Sequence, residues 1–175
     1  NVGFPTLVAQ ALAHSGLAPE RLELELTESV FLGDKSSTEE MFTALKMLGV
    51  RLALDDFGTG YSSLSYLQHA PFDKIKIDKS VISEVTQPGS RNAAIIASIV
   101  SLAKALNMDT TAEGIEAHDE LEAMRKLGVN QIQGFIYASA VPGDEVTEAL
   151  LSGDWVIEPD GPSKAKNTPG AIVSE

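Results

Sequence analysis

A chain of 175 residues is long enough for one domain with a core of ordinary size. Its 25 acidic against 13 basic residues, a net charge of −12, exclude a basic face that tracks polymeric nucleic acid, and 43% hydrophobic with 22% charged residues excludes wholesale disorder. With no cysteine there is no disulfide scaffold and no Cys-ligated zinc or iron–sulfur site, and the longest apolar run, Ala93 to Ala103, is too short to span a bilayer.

The first predicted element is a helix from Pro5 to His14, with Pro5 at a favoured first position and Gly16 as its stop. Leu22 to Leu26 reads as a strand. A helix follows from Glu39 to Leu48, started by a capping box of Ser37 and Glu40 and stopped by Gly49. Arg51 to Asp56 is the second strand, Ser62 to Gln68 a short helix ended by Pro71, and Lys74 to Asp78 the third strand. From Arg91 to Leu106 apolar residues at Ile95, Ile96, Ile99, Leu102, Ala103 and Leu106 form a helical stripe. Asp109 to Glu113 is a fourth strand, Asp119 to Leu127 a helix with Leu121, Met124 and Leu127 on one face, and Gln131 to Phe135 a fifth strand. Asp144 to Leu151 is the last helix, stopped near Gly153. Residues 158–175, rich in Pro, Gly, Ser and Lys, read as a flexible tail or linker after a domain of residues 1–157.

This alternation predicts a parallel sheet with helices outside it, an α/β fold. Strand starts recur about every 27 residues, a normal βα period, and eight such units would need roughly 220 to 250 residues. Five units do not close a barrel, so the remaining strands are expected upstream of Asn1; a start at Asn rather than Met marks a processed product or a fragment. No signal peptide is visible.

Side chains alternate across a strand. In Leu22-Glu23-Leu24-Glu25-Leu26 the leucines share one face and the glutamates the other; Asp55 opposes Leu52 and Leu54, and Lys76 and Asp78 oppose Ile75 and Ile77. Thr111 and Glu113 share a face of the fourth strand, and Gln131 and Gln133 flank Ile132. If the leucine and isoleucine faces pack on helices, Glu25, Asp55, Lys76, Glu113 and Gln133 converge inside, near C-terminal strand ends, where barrel enzymes carry their chemistry. One lysine does not neutralise that many carboxylates, and hard oxygen donors suit Mg²⁺ or Mn²⁺. Adjacent Asp55 and Asp56 at a strand end are placed to serve two metals, with Asp55 bridging.

Asp56-Phe57-Gly58-Thr59-Gly60-Tyr61-Ser62-Ser63 is a glycine loop directly after the second strand. Its Asp-Phe-Gly also occurs in protein kinases, but the catalytic-loop signature, the phosphate-covering glycine loop and an upstream Lys–Glu pair are missing. His14, His69 and His118 stand alone and read as surface or capping residues. Trp155 reads as a packing or barrel-end residue, and Tyr61 and Tyr66 as packing residues. A lysine among metal-holding carboxylates also suits an enolase-like barrel. The tandem aspartates followed by the glycine loop point away from it.

Five motifs occur in order: Glu25-Leu26-Thr27-Glu28-Ser29, Asp55 to Ser63, Lys76-Ile77-Asp78, Ala112-Glu113-Gly114-Ile115-Glu116 and Gln133-Gly134-Phe135. Together they resemble the EAL domain, the bacterial phosphodiesterase of cyclic di-GMP, from about Pro5 to Val156. The resemblance implies a modified TIM (β/α)8 barrel with one early strand antiparallel, and hydrolysis of cyclic di-GMP to linear pGpG with Mg²⁺ or Mn²⁺. It implies metal-site roles for Glu25, Asp55, Asp56 and Glu113, an active-site lysine at Lys76, a residue positioning water or metal at Gln133, and a supporting acid at Glu116. Glu28 resembles the glutamate that steadies the loop after Asp56. A homodimer, sensory or GGDEF-type partner domains and a cytoplasmic site, with the parent protein membrane-anchored or not, are further implications; direct membrane contact by this chain is not expected. The Glu-Ala-Leu strand and the strand with the metal-binding asparagine are expected before Asn1, and the Arg-Pro-like segment usual after Phe135 is replaced here by Ile136 to Pro142. The alternative is a non-catalytic module that binds cyclic di-GMP or another protein.

Overall fold

The computed structural model describes residues 3–32, 34–58, 67 and 70–153. In chain order its elements are α1 (Phe4–Ser15), β1 (Glu23–Thr27), α2 (Lys35–Leu48), β2 (Arg51–Phe57), β3 (Lys74–Ile77), α3 (Lys79–Ile82), α4 (Arg91–Ala105), β4 (Asp109–Ala112), α5 (His118–Leu127), β5 (Gln131–Ile132) and α6 (Gly143–Ser152), with short 3-10 turns at Pro19–Arg21 and Glu28–Leu32. The strands form one parallel sheet in the order β1-β2-β3-β4-β5. Each βα unit therefore adds its strand beside the previous one, the order a barrel wall requires. No described helix is long and apolar enough to cross a membrane.

One face of the sheet is apolar and packs on the helices. Leu52, Leu54, Ile75 and Ile77 are buried there with Phe42 and Leu45 of α2 and Ile96, Ile99, Val100 and Ala103 of α4. Burial of each such side chain contributes about 1.5–3 kcal/mol before the entropy of ordering it. Phe31, Phe42 and Phe72 meet edge to face, with centroids 5.4–6.0 Å apart, and close the corner between α2 and the β3 entrance. Polar ties fix the strand starts. Asp73 accepts Leu52 N–H and Lys46 Nζ at 2.8 Å, and Asn130 Oδ1 accepts both the N–H and the hydroxyl of Thr110 at 2.9 Å.

Most predicted elements are present, with several corrected boundaries. Helix α2 starts a turn earlier than expected: Asp34, not Ser37, is its cap, accepting Ser37 N–H at 2.9 Å. The stripe of α4 turns so that Ile96, Ile99, Val100 and Ala103 are buried while Ile95 faces outward. Strand β3 ends at Ile77 because Asp78 turns to cap α3, accepting Ser80 N–H at 2.9 Å. Strand β5 is shorter than Gln131 to Phe135, although Gln133 N–H still donates to Ala112 O at 2.8 Å. The expected helix Ser62 to Gln68 (Leu67 apart), Tyr61, Tyr66, His69, Trp155 and the tail 158–175 lie outside the described residues. His14 and His118 are exposed at helix ends.

Candidate active site

Parallel register carries the alternation of each strand across the sheet. Glu25 is level with Ala53 and Ala53 with Lys74, while Lys76 is level with Thr111 and Thr111 with Gln131. The face opposite the helices therefore bears Glu23 and Glu25 of β1, Arg51, Ala53 and Asp55 of β2, Lys74 and Lys76 of β3, and Asp109 and Thr111 of β4, with Glu113 just beyond.

Near the C-terminal ends these side chains converge on Lys76. Its Nζ lies 2.7 Å from Glu25 Oε2, 2.7 Å from Glu113 Oε1 and 3.4 Å from Asp55 Oδ1. The lysine side chain is 5% exposed, against 46% for Glu25, 22% for Asp55 and 19% for Glu113, so the ammonium is the floor of the cluster and the carboxylates its rim. Burial pulls the ammonium pKa down, but hydrogen bonds to Glu113 and Glu25 and the charges of Glu113 and Asp55 outweigh it and hold Lys76 above the usual lysine range. Glu113 is raised despite its bond to Lys76. Burial is the main cause, and Asp55 and Glu25 add to it as like charges. Lys76 thus keeps its proton at neutral pH.

Asp56 sits at a backbone irregularity. Leu54 pairs with Ile75 but Phe57 with Ile77, so β2 carries one extra residue there, a bulge, and Asp56 has φ 57°, in the left-handed region. Aspartate tolerates that region better than most residues. Its N–H donates to Asp55 Oδ1 at 3.0 Å.

The remaining expected residues are distributed around this cluster. Gln133 follows β5, its side chain exposed and its backbone carbonyl accepting Ile115 N–H at 3.1 Å. Glu116 does not join the cluster; it pairs with Lys79 at the start of α3. Lys79 spans two loops: a Cβ on Gly114, whose φ is 66°, would fall 2.8–3.0 Å from Lys79 Cδ, Cβ and Cγ. The lysine stem therefore lies over the backbone next to Glu113. Glu120 holds the same loop, accepting the N–H groups of Glu116 and Ala117 at 3.1 and 3.2 Å. Glu28 opens the 3-10 turn after β1 and is half-buried. Most of the loop it was expected to steady, Thr59 to Tyr66, lies outside the described residues.

A second charged layer beneath the cluster was missed from the sequence. Lys74 Nζ is 2.7 Å from Glu23 Oε1, and Arg51 bridges Glu23 (3.7 Å) and Asp109 (3.1 Å). The signal was available: stepping back two residues from Glu25 and Lys76 gives Glu23 and Lys74.

On this face five carboxylates (Glu23, Glu25, Asp55, Asp109, Glu113) meet three cations (Arg51, Lys74, Lys76), and the surplus negative charge sits in the upper cluster. Hard oxygen donors with surplus negative charge fit Mg²⁺ or Mn²⁺ in type and charge. As they stand the carboxylates close on Lys76, and among the described residues no group of three or more His, Asp or Glu side chains is arranged to hold a metal ion.

Residues 1–140 match the family model of the EAL domain. The bifunctional diguanylate cyclase/cyclic di-GMP phosphodiesterase MucR of Pseudomonas aeruginosa is 38% identical over 150 residues, 86% of this chain and 22% of that protein. The solved PaMucR phosphodiesterase in complex with cyclic di-GMP has a TM-score of 0.77 at 38% identity, covering 82% of this chain and 64% of that one. The manganese/cyclic di-GMP complex of Klebsiella pneumoniae BlrP1 has a TM-score of 0.71 at 32% identity, covering 77% of this chain and 34% of that one. The chain spans about a fifth of the length of the curated relatives it matches. With the family match running across all five strands, the chain belongs to the EAL domain family, whose fold is a modified TIM barrel.

Proposed function

We propose that the domain containing this chain hydrolyses cyclic di-GMP to linear pGpG. The observation that carries the reading is the convergence of Glu25, Asp55 and Glu113 on the buried Lys76 at the C-terminal strand ends. Relatives solved with cyclic di-GMP, one of them with manganese, supply the substrate class.

Glu25, Asp55, Asp56 and Glu113 would hold the divalent ions, Mg²⁺ or Mn²⁺. Bound there, such ions would lower the pKa of a water and would offset charge on phosphorus. Glu113, held by Lys76 at 2.7 Å through Oε1, would take a proton from the attacking water at its other oxygen. Lys76 cannot be that base, since it stays protonated. It donates hydrogen bonds that fix the carboxylates and offset the charge growing on the phosphate. Gln133, at the open end of β5, positions water or metal; Glu116 acts at a distance through its ion pair with Lys79. A homodimer and additional sensory or GGDEF-type domains complete the proposal.

The test is hydrolysis of cyclic di-GMP with Mn²⁺, by this chain and by the full product of its gene. Turnover that falls about a hundredfold or more in Asp55→Asn and in Glu113→Gln is the expected result. Absence of hydrolysis in every form overturns it; binding of cyclic di-GMP without turnover puts the non-catalytic module in its place.

A further inference from the structure

We propose that Ala53 is a positioning residue, its single methyl group leaving the gap through which the carboxylates of β1 reach the ammonium groups of β3. Strands β1 and β3 are not neighbours. Both pair with β2, so about 10 Å of sheet separates them. Yet Glu23–Lys74 and Glu25–Lys76 each close to 2.7 Å, and both pairs must pass over β2 to do so.

On the charged face β2 offers three side chains. Arg51 and Asp55 have polar ends that join the network, at 3.7 Å from Glu23 and 3.4 Å from Lys76. Ala53 between them does not, and it is level with Glu25 on one side and Lys74 on the other. Its exposure is 0%, although the helices and their apolar core lie on the opposite face of the sheet. The groups that the structure brings across it on that face are Lys74 and Lys76 with the two glutamates. A branched or longer side chain at this position would occupy the volume they use. Glu25 is the member that yields, being the most exposed of the three groups around Lys76.

The consequence for catalysis rests on the proposed phosphodiesterase reading; the positioning itself does not. The experiment is lysine-selective ¹⁵N NMR of the Lys76 ammonium in metal-free protein, assigned by its loss in Lys76→Met, across Ala53→Ser, Ala53→Cys, Ala53→Thr and Ala53→Val. The series grades the volume, so Ala53→Cys still reports if Ala53→Val does not fold. Unfolding in urea identifies the folded members. The Lys76 resonance is expected to stay in place in Ala53→Ser and to move increasingly with volume. Glu25→Gln is expected to move it too, and a larger residue at 53 then adds no further shift, the mark of one shared interaction. A resonance unmoved in every folded variant, or shifts that simply add to that of Glu25→Gln, overturns the proposal. In the same variants cyclic di-GMP hydrolysis with Mn²⁺ is expected to fall by about a hundredfold for the largest tolerated residue. A protein that never hydrolyses cyclic di-GMP but shows the graded shift removes the functional reading and keeps the positioning role. Hydrolysis in the wild type with an unmoved resonance does the reverse.

Discussion

A Cβ on Gly134 would fall 2.1 Å from Ile115 O and 2.4 Å from Ile115 N, both backbone atoms of the loop that follows Glu113. The close approach is the reason for glycine there, and backbone cannot turn aside as a flexible side chain would. Gly134→Ala must push the strand end bearing Gln133 away from the loop bearing Glu113. We expect a loss of about 1–3 kcal/mol or more, read as a lower urea midpoint with the slope unchanged. An unchanged midpoint would show that the two segments separate without cost. The sequence marks Gly134 as part of a motif but not why, since Ile115 is brought to it only by folding. Asp56 is similar. Simple alternation puts it on the opposite face to Asp55, and the extra residue that makes the bulge shows only in the register with β3.

At the scale of elements, the strands and long helices were legible because each carries a strong period. Their ends were not. Around α2 both Asp34 and Ser37 are good capping residues, and the buried positions that fix the helix face, Phe42 and Leu45, lie too far along to choose between them. The structure selects Asp34, and Asp78 plays the same part for α3. Asp34 is held below the ordinary aspartate pKa by the Ser36 hydroxyl and then by Ser37 N–H, and Asp78 by the hydroxyl and then the N–H of Ser80. A carboxyl whose pKa is depressed by folding contributes stability that is present above its unfolded value and is lost as pH falls through its folded value. The caps therefore weaken below the normal aspartate range. The expected outcome is that thermal stability of the wild type drops faster from neutral to acid pH than that of Asp34→Asn/Asp78→Asn, whose amides still cap but do not titrate. Parallel pH profiles of the two proteins would refute the assignment. Asp78→Ala, which removes one cap outright, is expected to cost about 1 kcal/mol at neutral pH.

Over the whole molecule the sequence showed that acidic groups from separate strands share a face, because charge and period coincide in β1 and β3. It could not show how they are neutralised. That depends on reach across a strand, as in the two crossings over Ala53. The resulting face keeps a surplus of negative charge within a chain of net −12. Two remedies are physically distinct: general screening by salt, which acts on every exposed charge, and a divalent ion held at the cluster, which acts only on the folded form. If Mn²⁺ is held by Glu25, Asp55 and Glu113, a concentration a hundred times its dissociation constant stabilises the fold by about 2.7 kcal/mol. For a domain of this size that raises the melting temperature by about 5–10 °C. The rise should be reversed by a chelator, should not be reproduced by sodium chloride at matched ionic strength, and should shrink sharply in Asp55→Asn, which keeps the shape of the side chain and removes its charge. An equal rise in Asp55→Asn, or with sodium chloride alone, would mean that manganese acts on the diffuse charge of the surface and that the carboxylates around Lys76 are not a metal site.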